Sequence, residues 1–355
     1  MSTNSKDFER KENDREINDK DHLESKESEQ IIEKDFVPHF FPTYRIKQKF
    51  YPIPIIIAVV CAGFLTYATI VLAGVEIEGG YISEKEFGAA GGILNGLIFT
   101  IVAAISSFII ILIVKKKGIN VLKYVFSISF GFLGFFLTWF FAEILIYLIF
   151  VQFPESELVY NSYMFLINYI LPAGGFIFTF ILLYEYLTSR SIRVKNFTVL
   201  YIGTLTGALL GAIMPLWTTL AILIGISLWD IFAVKSKRGP IKEMIDIASI
   251  NSQNNILSEK ELKAKFETGE VEYDTSKLEI GIGDLAFYSM LTSSALIFSQ
   301  NLIVTILTAV AIIIGTGITI TGLKRNKILP GLPISIFLGL GTMILSWYVL
   351  SIFFK

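Results

Sequence analysis

Nine long apolar runs constrain the fold of this 355-residue chain more than any other feature of its sequence. A helix needs roughly 20 apolar residues to cross the hydrocarbon core of a bilayer. Applied along the chain, that length predicts an all-α polytopic membrane protein. Its nine transmembrane helices are expected at about 53–74, 90–114, 120–150, 161–188, 197–213, 216–235, 278–299, 301–323 and 331–354.

The composition agrees with a membrane protein. Hydrophobic residues make up 53% of the chain and charged residues 17%, whereas about 25% of a soluble domain is charged. Residues 1–36 are rich in Glu, Lys, Asp, Asn and Ser, which is typical of a disordered tail. The chain has no basic face that could neutralise phosphates, so we predict no nucleic-acid partner.

The charges in the loops predict an orientation and a division of the chain. Lys and Arg precede the first predicted helix and follow the second, fourth, sixth and eighth, while the alternate loops carry glutamates or few charges. The positive-inside rule then places the N-terminus in the cytoplasm and the C-terminus outside. The expected parts are a cytoplasmic tail with a juxtamembrane collar at 1–50, helices at 51–235, a cytoplasmic loop at 236–277 and helices at 278–355.

Histidine and cysteine limit the chemistry available inside the membrane. The single cysteine, Cys61, lies in an apolar run, and both histidines, His22 and His39, precede the first predicted helix. Ser-His catalysis and a Cys- or His-ligated zinc within the bilayer are therefore disfavoured. Any reaction there would use carboxylates, hydroxyls or backbone groups, and we predict no metal and no cofactor.

Four acidic residues lie within the predicted helices, where a buried charge is costly and points to function. Glu185 lies near a helix end and Glu143 could hydrogen-bond a neighbouring helix, so we expect both to be structural. Asp230 lies five residues before Lys235, and Asp284 lies seven residues after Lys277 on the next helix, which runs in the opposite direction. At 1.5 Å per residue, both aspartates lie roughly 8–10 Å from the same membrane boundary.

Two carboxyl groups at one depth can share a proton, because like charges disfavour ionisation of both. One group then serves as a base toward water and the other as an acid toward a peptide carbonyl. The same pair could instead bind a cation or proton in a transporter or ion-leak protein, and the spacing alone does not separate these two functions. A non-catalytic membrane scaffold is a third interpretation.

The neighbouring glycines and prolines favour a protease. Gly281 and Gly283 precede Asp284 and allow another backbone to approach closely, although they could also mark a broken helix at an ion site. The segment Leu329-Pro330-Gly331-Leu332-Pro333 predicts an extended strip at the start of the last helix, at the depth of the aspartates. Such a strip could hold a substrate backbone in extended form.

Three motifs resemble the presenilin and signal peptide peptidase family. The first runs from Pro215-x-Trp217-Thr218 to Ser227-Leu-Trp-Asp230-Ile-x-Ala-Val234 and resembles the sixth helix of presenilins. Gly281-Ile-Gly-Asp284 with Phe287-Tyr-Ser289 resembles the GxGD motif of the seventh helix, and Pro330-Gly-Leu-Pro333 resembles the Pro-Ala-Leu-Pro motif of the ninth. Two residues differ from the family pattern: Trp229 stands where Tyr is usual, and Gly331 where Ala is usual.

The resemblance implies a GxGD-type intramembrane aspartyl protease with Asp230 and Asp284 as the catalytic pair. It further implies that Gly281 and Gly283 admit the peptide. The residues around the pair that would support the active site and the substrate strand are Trp229, Pro330, Gly331, Leu332 and Pro333.

The implied partners are transmembrane-helix substrates and the lipid bilayer. Accessory subunits are not expected, because the chain resembles the single-chain prokaryotic homologues; a homo-oligomer and self-cleavage in the 236–277 loop are left open. The resemblance also implies the cell membrane of a prokaryote. The stripe Gly203-x-x-x-Gly207-x-x-x-Gly211 predicts close helix packing within the chain rather than a subunit contact.

Overall fold

The computed structural model describes residues 42–118, 121–188, 191–236, 277–323 and 331–353. The predicted disordered tail, residues 237–276 of the loop and Pro330 lie outside these ranges. Within them, nine helices are long and apolar enough to cross a membrane. They are α1 (Pro52–Tyr67), α2 (Glu84–Lys117), α3 (Val121–Phe150), α4 (Glu157–Thr188), α5 (Ile192–Ile213), α6 (Leu216–Lys235), α7 (Ile282–Ser299), α8 (Leu302–Leu323) and α9 (Leu332–Phe353).

The predicted helices are confirmed, with differences at their ends. α1 continues as a π-helical turn from Ala68 to Leu72. α2 begins at Glu84, before its predicted start near residue 90, and Gly88 interrupts it with a φ of +56°. That conformation suits glycine, so the predicted span corresponds to the regular part of α2 beyond the interruption.

The structure contains a short antiparallel sheet that we did not predict. β1 (Thr43–Lys47) pairs with β2 (Lys277–Gly281), and α7 begins only after β2. The prediction of helix from residue 278 is therefore wrong for four residues. Both strands alternate polar and apolar side chains, the pattern of a half-buried strand. Burial raises the pKa of the Tyr44 hydroxyl in β1 above its ordinary value.

The glycine stripe of α5 packs against α7, which confirms the predicted packing within the chain. A Cβ atom built on Gly203 would lie 3.2 Å from the Ile282 carbonyl oxygen. On Gly207 it would lie 2.5 Å from the carbonyl oxygen of Ala286. Since real Cβ atoms do not approach oxygen that closely, the two backbones can meet only because Gly207 lacks a side chain.

The first turn of α6 is held by α2. The Glu84 carboxylate accepts hydrogen bonds from the backbone N–H groups of Trp217, at 3.2 Å, and of Thr218. These N–H groups belong to the first turn of a helix, where backbone donors have no partner within the helix. Further along, Gly96 of α2 packs directly on Ala221. α2 therefore fixes the helix that carries Asp230.

Candidate active site

The carboxylates of Asp230 and Asp284 approach the same peptide unit. The Leu332 N–H donates a hydrogen bond to Asp230 Oδ2 at 3.3 Å. A Cβ built on Gly331 would lie 3.4 Å from Asp284 Oδ2. Because Gly331 and Leu332 share one peptide bond, both acids lie beside the start of α9. Both aspartates are only partly buried.

Asp284 lies where β2 ends and α7 begins. Gly281 is the N-cap of α7, and Asp284 is the third residue of the helix. The Asp284 carboxylate lies close to the Gly281 backbone, and an acid at the third helical position is typical of a capping box, in which it reaches back to the N-cap. A carboxylate in the first turn also interacts favourably with the helix dipole. The junction therefore suits an acidic side chain here.

Asp230 lies near the C-terminal end of α6 and faces the start of α9. Its acceptor oxygen binds the N–H of the first residue of α9, one of the donors that a helix start leaves without a partner inside the helix. Each carboxylate is thus placed at a helix N-terminus: Asp284 at that of α7 and Asp230 at that of α9.

The segment predicted as an extended strip is helical in part. α9 begins at Leu332, so Leu332 and Pro333 form its first turn. Proline is well tolerated there, because the N–H that it lacks would be unpaired anyway. Gly331 forms a bend immediately before the helix. Leu329 and Pro330 lie outside the described residues, and their predicted role stays a prediction.

Three side-chain hydroxyl groups form a connected row next to Gly331, and these contacts were not predicted from the sequence. The Tyr288 hydroxyl lies 3.2 Å from Ser335 Oγ and 3.5 Å from the Gly331 carbonyl oxygen. Ser335 Oγ is also 3.0 Å from Thr316 Oγ1. These side chains come from α7, α8 and α9 and are buried, so they tie the bend to the two helices beside it. A sequence signal existed in the Phe-Tyr-Ser continuation, which contains Tyr288.

The remaining predicted site residues lie around this centre. A Cβ on Gly281 would contact the Asp284 carboxylate at 3.6 Å, and among the described residues one on Gly283 would meet only Phe287, at 3.9 Å. The ring of Trp229 points toward α2, with its centroid 5.8 Å from that of Phe108. The structure thus brings Gly281, Gly331 and Leu332 to the two aspartates, while Trp229 packs on the side of α6 that faces α2.

The sequence model of the presenilin family matches residues 81–259 and 249–354, which is most of the chain and includes both aspartates. The chain belongs to the presenilin family. It is an integral multi-pass membrane protein, in agreement with its nine apolar helices within the described ranges.

Individual presenilins differ widely from this chain. Presenilin-B of Dictyostelium discoideum is 35% identical over 129 residues, which cover 36% of this chain and 25% of that protein. The match thus spans a quarter of the length of this relative. A presenilin-like protein of Arabidopsis thaliana is 23% identical over 337 residues, covering 74% of this chain and 79% of the relative.

A solved structure shares the fold. A presenilin family intramembrane aspartate protease superposes with a TM-score of 0.50 at 12% sequence identity, covering 84% of this chain and 97% of the other. At that identity, the similarity concerns the arrangement of the helices.

Proposed function

We propose that this presenilin-family protein is an intramembrane aspartyl endopeptidase that cleaves transmembrane segments of other membrane proteins. The observation that carries the proposal is that two carboxylates, from α6 and α7, approach the same Gly331–Leu332 segment. The matched solved structure, a presenilin family intramembrane aspartate protease, supports it.

The reaction needs one ionised and one protonated carboxyl group. The ionised aspartate takes a proton from a water molecule as the water oxygen attacks the scissile carbonyl carbon. The protonated aspartate donates its proton to the carbonyl oxygen, which gives a tetrahedral diol. When the C–N bond breaks, the aspartate that took the proton from water donates it to the leaving nitrogen, and the other aspartate, now ionised, takes a proton from a diol hydroxyl as the new carboxyl group forms. The chain's own carboxylates can supply every proton in this sequence.

The outer edge of β2 offers a place for an extended substrate. The backbone N–H and C=O of Arg45 in β1 bind Asn196, so they point away from β2. Arg45 lies opposite Glu279. In an antiparallel pair, the backbone groups of the facing residue then also point outward, so those of Glu279 point away from β1. An extended substrate can add to that edge by main-chain hydrogen bonds, and β2 leads directly to Asp284.

The charge pattern of the loops supports a cytoplasmic N-terminus, which places the aspartates near the cytoplasmic boundary. We infer that substrates have their N-terminus outside and their C-terminus inside. The prokaryotic host and activity without accessory subunits stay predictions.

The function is tested with purified protein in liposomes that contain a single-span reporter. We expect two products whose masses place the cut inside the reporter's transmembrane segment. A folded wild type that leaves the reporter intact would refute the protease. Proton or cation flux that is lost in both Asp230→Asn and Asp284→Asn, without cleavage, would support the transporter instead.

Gly331 tests how closely the bend approaches the acid. An alanine Cβ would lie 3.4 Å from Asp284 Oδ2, an ordinary contact, so Gly331→Ala is expected to keep kcat near that of the wild type. The two further methyl groups of Gly331→Val crowd the carboxylate and should lower kcat about tenfold or more, since overpacking costs roughly 1–3 kcal/mol. Equal rates for both variants in the reporter assay would contradict this geometry.

A further inference from the structure

The strand that leads into Asp284 is held by a segment that precedes α1 in the chain. β1 pairs with β2 in continuous register up to Gly281. One residue further, the Ile282 N–H donates to the Pro42 carbonyl oxygen at 3.1 Å. Ile282 is the first residue of α7, so this hydrogen bond satisfies a donor that the helix start leaves unpaired. β1 therefore supports both β2 and the first turn that carries the acid.

Asn196 of α5 binds the opposite edge of β1. Its Oδ1 accepts a hydrogen bond from the Arg45 N–H at 2.8 Å, and its Nδ2 donates to the Arg45 carbonyl oxygen at 2.7 Å. This pair of bonds occupies the Arg45 backbone groups that a third strand would use at this point of the edge. One amide side chain thus fastens β1 to α5, the helix whose glycine stripe packs against α7.

Side chains between the strands fix their register. Arg45 Nε lies 3.1 Å from Glu279 Oε1, and Thr43 Oγ1 donates to Glu279 Oε2 at 2.8 Å. A slip by one residue would turn these side chains to the other face of the sheet. The pairing with β1 therefore determines the position of Gly281 along the direction of the strand.

We propose that Asn196 is a positioning residue for the active site and that β1 is a permanent part of it. Asn196 holds β1, β1 holds β2, and β2 fixes Gly281 and the first turn of α7 beside Gly331. The catalytic part of this inference rests on the proposed protease function. The pairing of the strands does not, so the two are tested separately.

The pairing is tested by cross-linking in the full-length protein. Lys47 and Lys277 face each other in the register, and facing residues lie about 4.5–5.5 Å apart between Cα atoms, within the reach of a disulfide. In a Cys61→Ser background, Lys47→Cys with Lys277→Cys should form an intramolecular disulfide, detected by mass spectrometry. A folded protein without this cross-link would refute the pairing, whatever its activity.

The same cross-link decides whether β1 stays in place during the reaction. The oxidised double variant is expected to cleave the reporter as fast as its reduced form. Loss of cleavage on oxidation, with recovery on reduction, would show that β1 must leave, and would overturn its role as a permanent part of the site.

The role of Asn196 is tested with a rescue. Asn196→Ala should lower kcat about ten- to hundredfold, since small misplacements of catalytic groups have effects of that size. Asn196→Gln, which keeps a donor and an acceptor, should recover part of the rate. In the Cys61→Ser background, Asn196→Ala is combined with Lys47→Cys and Lys277→Cys. Oxidation of this variant to the disulfide should restore the cleavage rate, and reduction should lower it again.

Asn95 provides the matched control. It binds backbone in the same way, accepting from the Tyr81 and Ile82 N–H groups and donating to the Ile82 carbonyl oxygen, but it lies near the first turn of α6. Asn95→Ala should lower thermal stability without the selective loss of kcat. If both alanine variants lose stability and rate in parallel, Asn196 is merely structural and the proposal fails. A wild type that cleaves nothing while the cross-link forms would refute the catalytic role and leave the pairing intact.

Discussion

Replacing either Asp230 or Asp284 by asparagine is expected to reduce reporter cleavage about 10²–10⁴-fold, the usual effect of losing a general acid or base. Each variant keeps the size of the side chain and replaces a carboxyl group, which can gain and lose a proton, by an amide, which cannot. The two variants should be equally inactive, because the reaction needs both carboxyl groups at once. The measurement is kcat for reporter cleavage by purified protein in liposomes.

Glu143→Gln is the matched control, since it neutralises another partly buried acid within a membrane helix, α3. It should cleave at the rate of the wild type. A folded Asp230→Asn or Asp284→Asn that retains more than about a tenth of the rate would contradict the assignment of that aspartate, given the size of the usual acid–base contribution.

The second large effect is expected on stability, at the contact between α5 and α7. Gly207→Ala would place its methyl group 2.5 Å from the Ala286 carbonyl oxygen, which forces the two helices apart. Overpacking of this kind costs about 1–3 kcal/mol. Because α7 carries Asp284, the variant should both unfold at lower temperature in detergent and cleave more slowly.

Gly341→Ala in α9 is the control for this change, because a Cβ there meets nothing within 4 Å in the part of the chain that the structure describes. Alanine in an exposed helical position should be neutral or stabilising by up to about 1 kcal/mol. If Gly207→Ala and Gly341→Ala unfold at the same temperature, the close approach of α5 and α7 is not required for stability.

The helices could be predicted from the sequence because one physical requirement, about 20 apolar residues for each crossing, acts on each segment independently. α6 begins and ends at the predicted residues, 216 and 235. The stripe from Gly203 to Gly211 also implied a close neighbour, although only the structure identified α7 as that neighbour.

The short sheet could not be predicted with the same success. β1 and β2 are separated by more than 200 residues. Local hydropathy cannot predict the pairing of strands that far apart in the sequence. The alternation from Thr43 to Lys47 was a usable signal. The prediction of a juxtamembrane collar did not include this pairing, and in the structure all five residues pair with β2.

The two acids of the candidate site could be predicted from the sequence, but the hydroxyl groups that contact the bend at Gly331 could not. Asp230 and Asp284 attract attention because a charge in a membrane helix is costly. Ser335 and Thr316 carry hydroxyl groups, which are common in membrane helices and often bond to their own helix. Their contact with each other near Gly331 depends on how α8 packs against α9. No local sequence pattern predicts that packing.

The proposed reaction is the cleavage of a peptide bond inside the membrane by two aspartates from neighbouring helices. The most direct test is mass spectrometry of the products formed from a single-span reporter by purified wild-type protein in liposomes. We expect a matched pair of fragments whose new termini lie within the reporter's transmembrane segment and which are absent with Asp284→Asn. An intact reporter with folded wild-type protein, or the same fragments with Asp284→Asn, would contradict it.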